Sequence, residues 1–510
     1  MTTDLFTYAV GVIIVWLMAL RLRSIQGRQA LYLLASWLFY YSWGSWLIVF
    51  LIFSSLMNYA LGEWLKKNIT AARLWVGILL NVAFLSVFKY LPLLGTVAPA
   101  GSPLTSLTRM IFPLGVSFWT FQALSYLLEL YREEDLDPTL LEFCLYMSFW
   151  PTVLQGPICR MSAMLPQFRQ DWSVTEEDLR VGVRRIAIGT LMSVLAGVMA
   201  GGLYPGIGVD AIFGNTARRL SGIDVWFLIV AYGFQLYFSF CGWTHVMIGA
   251  ARLFGIQLHE NFDRPYLSTT PSVFWTRWHM SLSFWIRDFL FLPLAMVRRE
   301  VWWRNLSLVI AFFVFGIWHK GTVLLMMWGT YHGLLLVLHR QWQEFRKRLG
   351  FEWSGFVPTL ISWWLTFSAV CVGYIFFRAE TVHQAFAMLK AVASLRTYRH
   401  LTLDHSFYVM TLVASVGYFA VIGAGMLLDR LGQYAQSGKD EARKAATRKH
   451  DAPRDDPRKK PTPRWVSFLG LLANERWVWI TPIVIVSALY LSVIFHPGQS
   501  ETGPVMYALF

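Results

Sequence analysis

The chain has 510 residues, of which 56% are hydrophobic and only 15% are charged, and its formal net charge is +14. A soluble protein carries about 25% charged residues, so this composition excludes a water-soluble globular protein and predicts a membrane protein. Lysine and arginine collect in short polar segments, without the interleaved aromatic residues of a groove for single-stranded nucleic acid. The positive charge therefore indicates cytoplasmic loops in contact with membrane lipid, and no nucleic-acid partner is expected.

Apolar runs of about 20 residues recur along the chain, each long enough to cross a hydrocarbon layer of about 30 Å as a helix. The first run has no basic region before it and no small-residue cleavage site, so we expect a retained span rather than a signal peptide. The predicted fold is an all-α polytopic membrane protein with about ten to twelve transmembrane helices. The predicted spans are 6–22, 30–45, 46–62, 73–95, 108–131, 184–204, 224–253, 306–318, 322–339, 358–378, 407–428 and 474–495.

Two apolar pieces are interrupted by residues that break helices. Residues 143–168 contain three prolines, and residues 263–299 contain Pro265 and Pro293 among aromatic residues. Broken helices are tolerated at membrane depth where protein or a water-filled cavity satisfies the freed backbone groups. We therefore expect both pieces to be re-entrant or broken helices that form walls of a central tunnel.

One long polar stretch, residues 431–464, is rich in Pro, Lys, Arg and Asp and has no apolar periodicity. Such a composition favours an irregular cytoplasmic linker. It would separate a membrane-embedded core, residues 1–430, from a C-terminal transmembrane helix and tail, residues 465–510.

His319 lies in residues 315–321, FGIWHKG, deep inside an apolar stretch. From Asn305 to Leu338 the only Asp, Glu, Lys or Arg is Lys320, and the next charge is Arg340. Polar groups at membrane depth are costly and usually functional, and imidazole is the side chain that exchanges a proton near neutral pH. His319 is therefore a candidate for proton transfer. The alternative is a structural histidine that ends a broken helix.

A second histidine, His279, lies in residues 274–288, FWTRWHMSLSFWIRD. We expect it either to line the tunnel as a supporting polar group or to be an interfacial histidine beneath an aromatic belt. Arg277, Arg287 and Asp288 either pair with one another or meet the phosphates of a substrate. Pairing is the favoured interpretation, because uncompensated charge at this depth is costly.

A series of motifs in a fixed order resembles one known family. The motifs are PLGVSFWTFQALSY at 113–126, LQGPICR at 154–160, LPQ at 165–167, FQLYF at 234–238, the segments 275–288 and 316–333, and FFRAE at 376–380. Over about residues 30–395 they are similar to the membrane-bound O-acyltransferase family. The similarity is to its bacterial branch, which includes the membrane proteins of alginate O-acetylation and of teichoic-acid D-alanyl transfer.

The resemblance implies a multi-pass O-acyltransferase of the cell inner membrane, in which an acetyl group is the expected acyl group. It implies a cytoplasmic thioester donor, acetyl-CoA or an acyl carrier protein, and no tightly bound cofactor. The implied acceptor is extracytoplasmic: an envelope polysaccharide, as in alginate-like exopolysaccharide acetylation, or a partner protein that relays the group. The resemblance assigns the base, or the holder of the acceptor, to His319. His279 is the second catalytic candidate, from its own sequence context. Further tunnel or substrate candidates are His332, Trp318, Arg277, Arg287, Asp288, Gln235 and His245.

The chain departs from the family pattern at two places. Residues 239–245 read SFCGWTH where the bacterial family has a stretch of the type DFSGYSD, so the acidic positions at Ser239 and His245 are absent. Lys320 replaces a small residue after the family histidine. Both changes alter the polar groups around the expected site and bear on the donor and the acceptor.

The sequence disfavours two other classes of function. It contains neither a His-x-x-x-His nor a His-Glu-x-x-His pattern, and no glycine-rich loop ending in Lys-Ser/Thr. Neither a metal site nor an ATP-driven pump is therefore predicted. A non-catalytic membrane translocator or scaffold of polysaccharide export is the alternative. Inverted repeats would favour a transporter, and the sequence has no internal repeat of fixed period.

Overall fold

The computed structural model describes residues 5–90, 113–171 and 173–447, with the isolated residues Pro92 and Ser102. For residues 5–9 and 428–447 it describes the backbone alone. Within this part of the chain the regular elements are helices, and one isolated β-bridge joins Phe262 to Trp278. The predicted all-α fold is confirmed.

The N-terminal helices form an antiparallel group. They are α1 (Leu5–Arg21), α2 (Ile25–Gly44), α3 (Ile48–Lys67), α4 (Ala71–Lys89) and α5 (Val116–Tyr131). The predicted division of residues 30–62 is confirmed, because α2 ends at Gly44 and a 3₁₀ turn, Ser45–Leu47, precedes α3. Asn58 and Asn81 exchange amide hydrogen bonds of 3.0 and 2.7 Å between α3 and α4, so these buried polar groups satisfy one another.

The first proline-rich piece is broken as predicted. It forms α6 (Leu140–Ser148), the short α7 (Trp150–Val153) and α8 (Met161–Arg169). A Cβ added at Gly156 would lie 1.8 Å from the carbonyl oxygen of Pro151, so only glycine allows this sharp turn of the chain. Gln167 holds the piece to residue 257 through reciprocal hydrogen bonds with the Gln257 backbone, of 3.1 and 2.7 Å.

The long central helices are α9 (Glu176–Gly201) and α11 (Gly222–Leu253), with the short α10 (Val209–Gly214) between them. Helix α9 begins with a capping box of Thr175 and Asp178. The two long helices pack closely because glycines face one another. A Cβ at Gly189 would lie 2.3 Å from the carbonyl oxygen of Gly242.

The second interrupted piece, between residues 263 and 299, is also broken as predicted. It contains a 3₁₀ turn (Pro265–Leu267), α12 (Pro271–Trp275), α13 (Met280–Ile286), a π-helical turn (Arg287–Phe291) and α14 (Leu292–Met296). Helices α15 (Val301–Lys320) and α16 (Val323–Arg348) follow as an antiparallel hairpin. The remaining helices are α17 (Phe356–Arg378), α18 (Val382–Ala393) and α19 (His405–Thr447), with a 3₁₀ turn at Leu395–Arg399.

Seven helical segments of the described residues are long and apolar enough to cross a membrane. They are Ile25–Lys67, which comprises α2 and α3, then α4, α9, α11, α15 and α17, and the part of α19 from His405 to Leu427. The chain is therefore a multi-pass membrane protein. The predicted span 474–495 and the proposed C-terminal segment 465–510 lie outside the described residues.

The predicted linker does not begin as an irregular segment, because α19 continues to Thr447. Residues 439–447, KDEARKAAT, are almost all good helix formers, and their helix propensity outweighs the polar composition. The remainder of the linker, residues 448–464, lies outside the described residues.

The two ends of the helix bundle carry different ion pairs. At the end that we call the basic end, ion pairs link Lys66 to Asp137, Arg169 to Glu142 and Arg252 to Asp178. At the opposite end, which we call the far end, Arg378 pairs with Asp210 at 3.3 Å. Helix α15 runs from the basic end towards the far end, and α16 returns.

Candidate functional site

His319 is placed by the end of helix α15. It occupies the last turn of this helix, and Gly321 ends the helix in the left-handed conformation, at φ +66°. The backbone N–H of Gly321 donates a 2.8 Å hydrogen bond to the carbonyl of Ile317. The Trp-His-Lys-Gly sequence thus forms a glycine-capped helix terminus that carries a buried imidazole, 4% exposed.

Aromatic rings surround the imidazole of His319. Ring centroids lie at 4.8 Å for Phe315, 5.2 Å for Trp328 and 5.1 Å for Phe377. These side chains come from three helices, α15, α16 and α17. The imidazole is therefore held by ring packing from three sides of the bundle.

His332 approaches His319 because the chain reverses between them. In one continuous helix the two would lie on different faces, but α15 stops at Lys320 and α16 starts at Val323. Trp328 then contacts both imidazoles, with centroid distances of 5.2 Å to each. Gly321 ends α15, whereas Gly329 lies within α16 and permits close packing. A Cβ there would lie 2.1 Å from the carbonyl oxygen of Phe312.

His279 comes from the second broken piece and has an unusual backbone. Its φ of +42° is left-handed, a conformation that costs non-glycine residues about 1–2 kcal/mol. The conformation ends the Phe262–Trp278 bridge and starts α13, with the N–H of Met280 donating to the carbonyl of Asn261 at 2.9 Å. The ring lies edge-on to Phe240 of α11, at 4.6 Å.

The three histidines line one small enclosed cavity of about 30 Å³, enough for about one or two water molecules. Its other walls are aromatic and aliphatic: Leu236, Phe240, Phe274, Trp275, Trp278, Phe315, Trp328, Val370, Tyr374 and Phe377. Among the described residues, Nε2 of His279 and Nδ1 of His332 are buried and have no hydrogen-bond partner. Buried polar atoms normally have partners, so these two atoms are available to a molecule in the cavity. No three His, Cys, Asp or Glu side chains in the described ranges form a group that could hold a metal ion.

A much larger cleft, of about 550 Å³, adjoins this cavity from the basic end. Trp275 and Phe315 line both spaces. Three arginines line the cleft, Arg287, Arg304 and Arg340, and no acidic side chain does so among the described residues. Arg287 pairs with Asp288 and Arg340 lies 3.9 Å from Glu344, but neither carboxylate lines the cleft, which is therefore a basic approach to the histidines.

Asp288 and Arg287 form the expected ion pair, with 2.7 Å between Nε and Oδ1. Arg160 also pairs with Asp288, at 2.5 Å, and so joins the two broken pieces. Burial raises the pKa of the Asp288 carboxyl, but hydrogen bonds from Arg287 and Arg160 outweigh this effect and lower the pKa below its ordinary value. Asp288 is therefore a structural anion beside the cleft.

The other predicted candidates do not line the histidine cavity. Arg277 lies near Asp263, at 4.0 Å, and Gln235 donates to Asp210 at 3.3 Å towards the far end. His245 lies on α11 nearer the basic end, and its Nδ1 has no partner in the described part of the chain. Trp318 packs on Phe121, at 5.1 Å, on another side of α15.

Two features of the site were missed by sequence reasoning. Lys89 is buried, donates to Ser117 at 3.2 Å and lies 4.5 Å above the ring of Trp318. The sequence does show Lys89 as a lone charged residue near the end of an apolar run. A single polar residue in an apolar run is the same signal that identified His319. Arg304 and Arg340 flank the apolar stretch around His319, in which Lys320 is the only Asp, Glu, Lys or Arg, and the α15–α16 hairpin brings the two arginines to one cleft.

Comparison with known proteins places this site in a family context. The family model of the membrane-bound O-acyltransferases, MBOAT, matches residues 25–377. Probable alginate O-acetylase AlgI of Pseudomonas aeruginosa is 28% identical over 445 residues, covering 84% of this chain and 82% of the relative.

Two further relatives have other named activities. The peptidoglycan O-acetyltransferase of Helicobacter pylori is 29% identical, and the match covers 71% of this chain and 73% of the relative. The teichoic acid D-alanyltransferase of Streptococcus thermophilus is 32% identical, and the match covers 52% of this chain and 68% of the relative. With a matched region that contains all three cavity histidines and most of the helix bundle, the chain belongs to the membrane-bound O-acyltransferase family.

Proposed function

We propose that this membrane O-acyltransferase moves an acetyl group from a cytoplasmic thioester to a hydroxyl of an envelope polysaccharide, or of a protein that relays the group. The observation that carries the proposal is the shared cavity of His279, His319 and His332, which adjoins an arginine-lined cleft. A proton-accepting site lies next to a site suited to an anionic donor.

The proposed base is His319. An alcohol is a weak nucleophile while it holds its proton, so the imidazole takes that proton as the oxygen attacks the thioester carbonyl carbon. A carbon–oxygen bond forms, the carbon–sulfur bond breaks, and the imidazolium returns the proton to the departing thiolate. The products are an ester and a free thiol, and the histidine ends in its starting state.

His279 and His332 would support this reaction from the other walls of the cavity. Nε2 of His279 and Nδ1 of His332 are buried without partners among the described residues. Each atom is suited to a hydrogen bond with the substrate carbonyl or hydroxyl. Such bonds would hold the reacting atoms in line, which is where much of the rate enhancement of group transfer arises.

The donor is proposed to enter through the cationic cleft. Arg287, Arg304 and Arg340 suit the phosphates of a coenzyme A or phosphopantetheine thioester, because guanidinium groups bind phosphate in a bidentate manner. The cleft volume of about 550 Å³ lies within the usual range for small-molecule sites, about 300–1,000 Å³. The histidine cavity is far smaller, so Trp275 and Phe315 must move aside when the acyl group enters.

The basic end of the bundle is proposed to face the cytoplasm of a cell whose inner membrane holds the protein. The last turn of α16 contributes Arg346, Lys347 and Arg348 to this end, as the positive-inside rule requires. The donor would then enter from the cytoplasm and the acceptor from the far end. The named relatives act on alginate, peptidoglycan and teichoic acid, which supports an envelope polymer as acceptor.

The decisive experiment replaces His319. Both His319→Ala and His319→Gln should still insert and accumulate, while acyl transfer falls by about 10²-fold or more, the usual contribution of a positioned general base. Glutamine keeps a hydrogen bond but accepts no proton at neutral pH. Acetyl release from the envelope polymer, normalised to protein in the membrane, measures the effect.

The two variants separate catalysis from structure. Under the base mechanism both fail alike, whereas a purely structural histidine predicts that His319→Gln recovers most of the activity. Full acetylation by a well-expressed His319→Ala protein would overturn the base assignment, and the non-catalytic translocator would then be the better account.

The donor cleft is tested with Arg304→Gln and Arg340→Gln. Each should raise KM for the thioester by about tenfold or more, the equivalent of a hydrogen bond to a charged group, with a smaller change in kcat. Arg348→Gln is the matched control, because it removes an exposed arginine from the same end but outside the cleft. An unchanged KM in the double variant would contradict the proposed donor site.

A further inference from the structure

A second groove, of about 460 Å³, lies on the face of α16 next to the one that lines the arginine cleft, and Gln343 borders both spaces. It runs between α16 and α17, with the Thr269–Pro271 segment at its side. From α16 it is lined by Leu335, Leu338, His339, Trp342 and Arg346, whose spacing of three, four and seven residues places them on one helix face. This groove is separate from the histidine cavity.

One end of the groove carries unsatisfied polar groups. Among the described residues, Nε of Arg346 and Nε2 of His339 are buried and have no hydrogen-bond partner. The two side chains are near enough to repel one another when both are charged. An arginine Nε always carries a hydrogen, so a buried one normally faces an acceptor. The chemistry here fits an anion with several oxygen atoms.

The other end of the groove is apolar. Leu335, Leu338, Leu365 and Ala369 line it, and Leu338 and Leu365 are 65% and 54% exposed. From Arg346 to Leu335 the distance along a helix of 1.5 Å per residue is roughly 16 Å. This length suits a phosphate with its glycerol and the first part of an acyl chain, and it exceeds that of a free phosphate.

The groove also lies at a membrane depth that suits a lipid headgroup. Trp342 and Trp353 line the groove at the basic end, where tryptophan belongs in a membrane interface. The Trp353 indole donates to Pro358 at 3.1 Å and to Ser362 at 2.9 Å, which fixes this wall. The adjacent Lys347 adds positive charge that attracts anionic lipid headgroups.

We propose that this groove binds one anionic phospholipid of the membrane leaflet at the basic end. Its phosphate lies on Arg346 and His339, and one acyl chain follows Leu338 and Leu335 towards Ala369. The lipid holds α16, which carries His332, against α17, which carries Phe377. It is a structural ligand, and it would stabilise the protein even when no acyl transfer takes place.

Native mass spectrometry of the purified full-length protein tests this proposal. Delipidated protein is titrated with phosphatidylglycerol or with phosphatidylcholine, and the retained lipid is counted. We expect the wild-type protein to retain one phosphatidylglycerol with about tenfold preference over phosphatidylcholine. In Arg346→Gln this preference should fall by at least fivefold, as expected for the loss of a charged hydrogen bond. Arg346→Lys keeps the charge but has no N–H group at the position of Nε, so its preference for phosphatidylglycerol should lie between those of the wild type and Arg346→Gln. Arg348→Gln, which removes an equal charge outside the groove, should retain the preference.

Two results would overturn the proposal. Equal losses in Arg346→Gln and Arg348→Gln would mean that surface charge alone attracts the lipid. Displacement of phosphatidylglycerol by millimolar glycerol 3-phosphate would mean that the groove recognises a soluble phosphate ester. The thermal midpoint of each variant without added lipid verifies that the protein is folded, and added phosphatidylglycerol should raise it in the wild type and in Arg348→Gln alike.

Discussion

At the scale of single residues, His279 combines backbone strain with a buried polar atom. Its left-handed conformation is uncommon in non-glycine residues, although histidine adopts it more often than most. Such conformations persist where the surrounding structure enforces them, often at functional sites. Its ring is 2% exposed and faces the cavity shared with His319. Strain, burial and the lack of a hydrogen-bond partner within the described part of the chain coincide at this residue, which favours the supporting role over an interfacial histidine.

His279→Asn separates the backbone from the imidazole. Asparagine tolerates the left-handed conformation, so the thermal midpoint should stay within a few degrees of the wild type. Acyl transfer should fall by about tenfold or more if the imidazole supports the reacting groups. Enzyme assays and thermal unfolding in the same detergent measure both quantities. A His279→Asn protein with wild-type activity would mean that the position serves only the turn before α13.

Lys89 illustrates how a residue outside the cavity contributes to its order. Its ammonium group packs on Trp318, while the hydroxyl of the next residue, Tyr90, donates to the carbonyl of Ile317 at 3.1 Å. Both contacts meet the last turn of α15, and a cation near a helix C-terminus is stabilising. The turn that carries His319 is therefore fixed to α4 as well as to α16 and α17.

At the scale of elements, the α15–α16 hairpin determines the site. Gly316 on α15 and Gly329 on α16 let the two backbones approach closely, as small residues do between membrane helices. This approach brings Phe315, His319, Trp328 and His332 to one cavity. The hairpin also brings Arg304 and Arg340 to one cleft at its other end.

Gly316→Ala should disrupt this packing. The added Cβ would lie 2.2 Å from the carbonyl oxygen of Leu325, a backbone atom that cannot rotate away. We expect a loss of about 1–3 kcal/mol, the usual cost of overpacking, with a lower thermal midpoint and lower acyl transfer. Gly417→Ala in α19 is the control, because its Cβ would meet no atom within 4 Å, and alanine should be neutral or stabilising there. Equal midpoints for the two variants would contradict the close approach.

At the scale of the whole molecule, the two ends differ in what they present. The basic end carries the arginine cleft and the lipid groove. Towards the far end, Arg378, Asp210 and Gln235 form a polar network beside Phe377, which lines the histidine cavity. The proposed donor and acceptor therefore approach the histidines from opposite sides, which requires a fixed orientation in the membrane.

Cysteine labelling measures this orientation. Arg348→Cys places a thiol at the basic end, and Tyr204→Cys places one in the loop after α9, where Tyr204 is 66% exposed. The four native cysteines are buried and give little background. A membrane-impermeant maleimide should label Tyr204→Cys in spheroplasts and Arg348→Cys in inverted vesicles. The reverse labelling would place the arginine cleft outside the cell.

Much of the architecture could be predicted from the sequence, because lipid imposes simple rules. An apolar run of about 20 residues must be a helix in a bilayer, and prolines and glycines marked the two broken pieces correctly. The one clear error in local structure was at 431–447, where polar composition predicted an irregular segment although helix propensity prevails.

The candidate site could be predicted only in part from the sequence. By itself the sequence determined the class of protein, the order of its helices and its family resemblance. It also made His319 the first site candidate, since a lone imidazole is costly in an apolar run and is rarely kept there without a function. Only the tertiary structure decided that His279 and His332 share the cavity with His319, whereas Gln235 and His245 lie elsewhere, and that Arg304 and Arg340 meet in one cleft. These groupings depend on where the chain reverses and how closely helices approach, and neither periodicity nor composition encodes the contacts between helices distant in sequence.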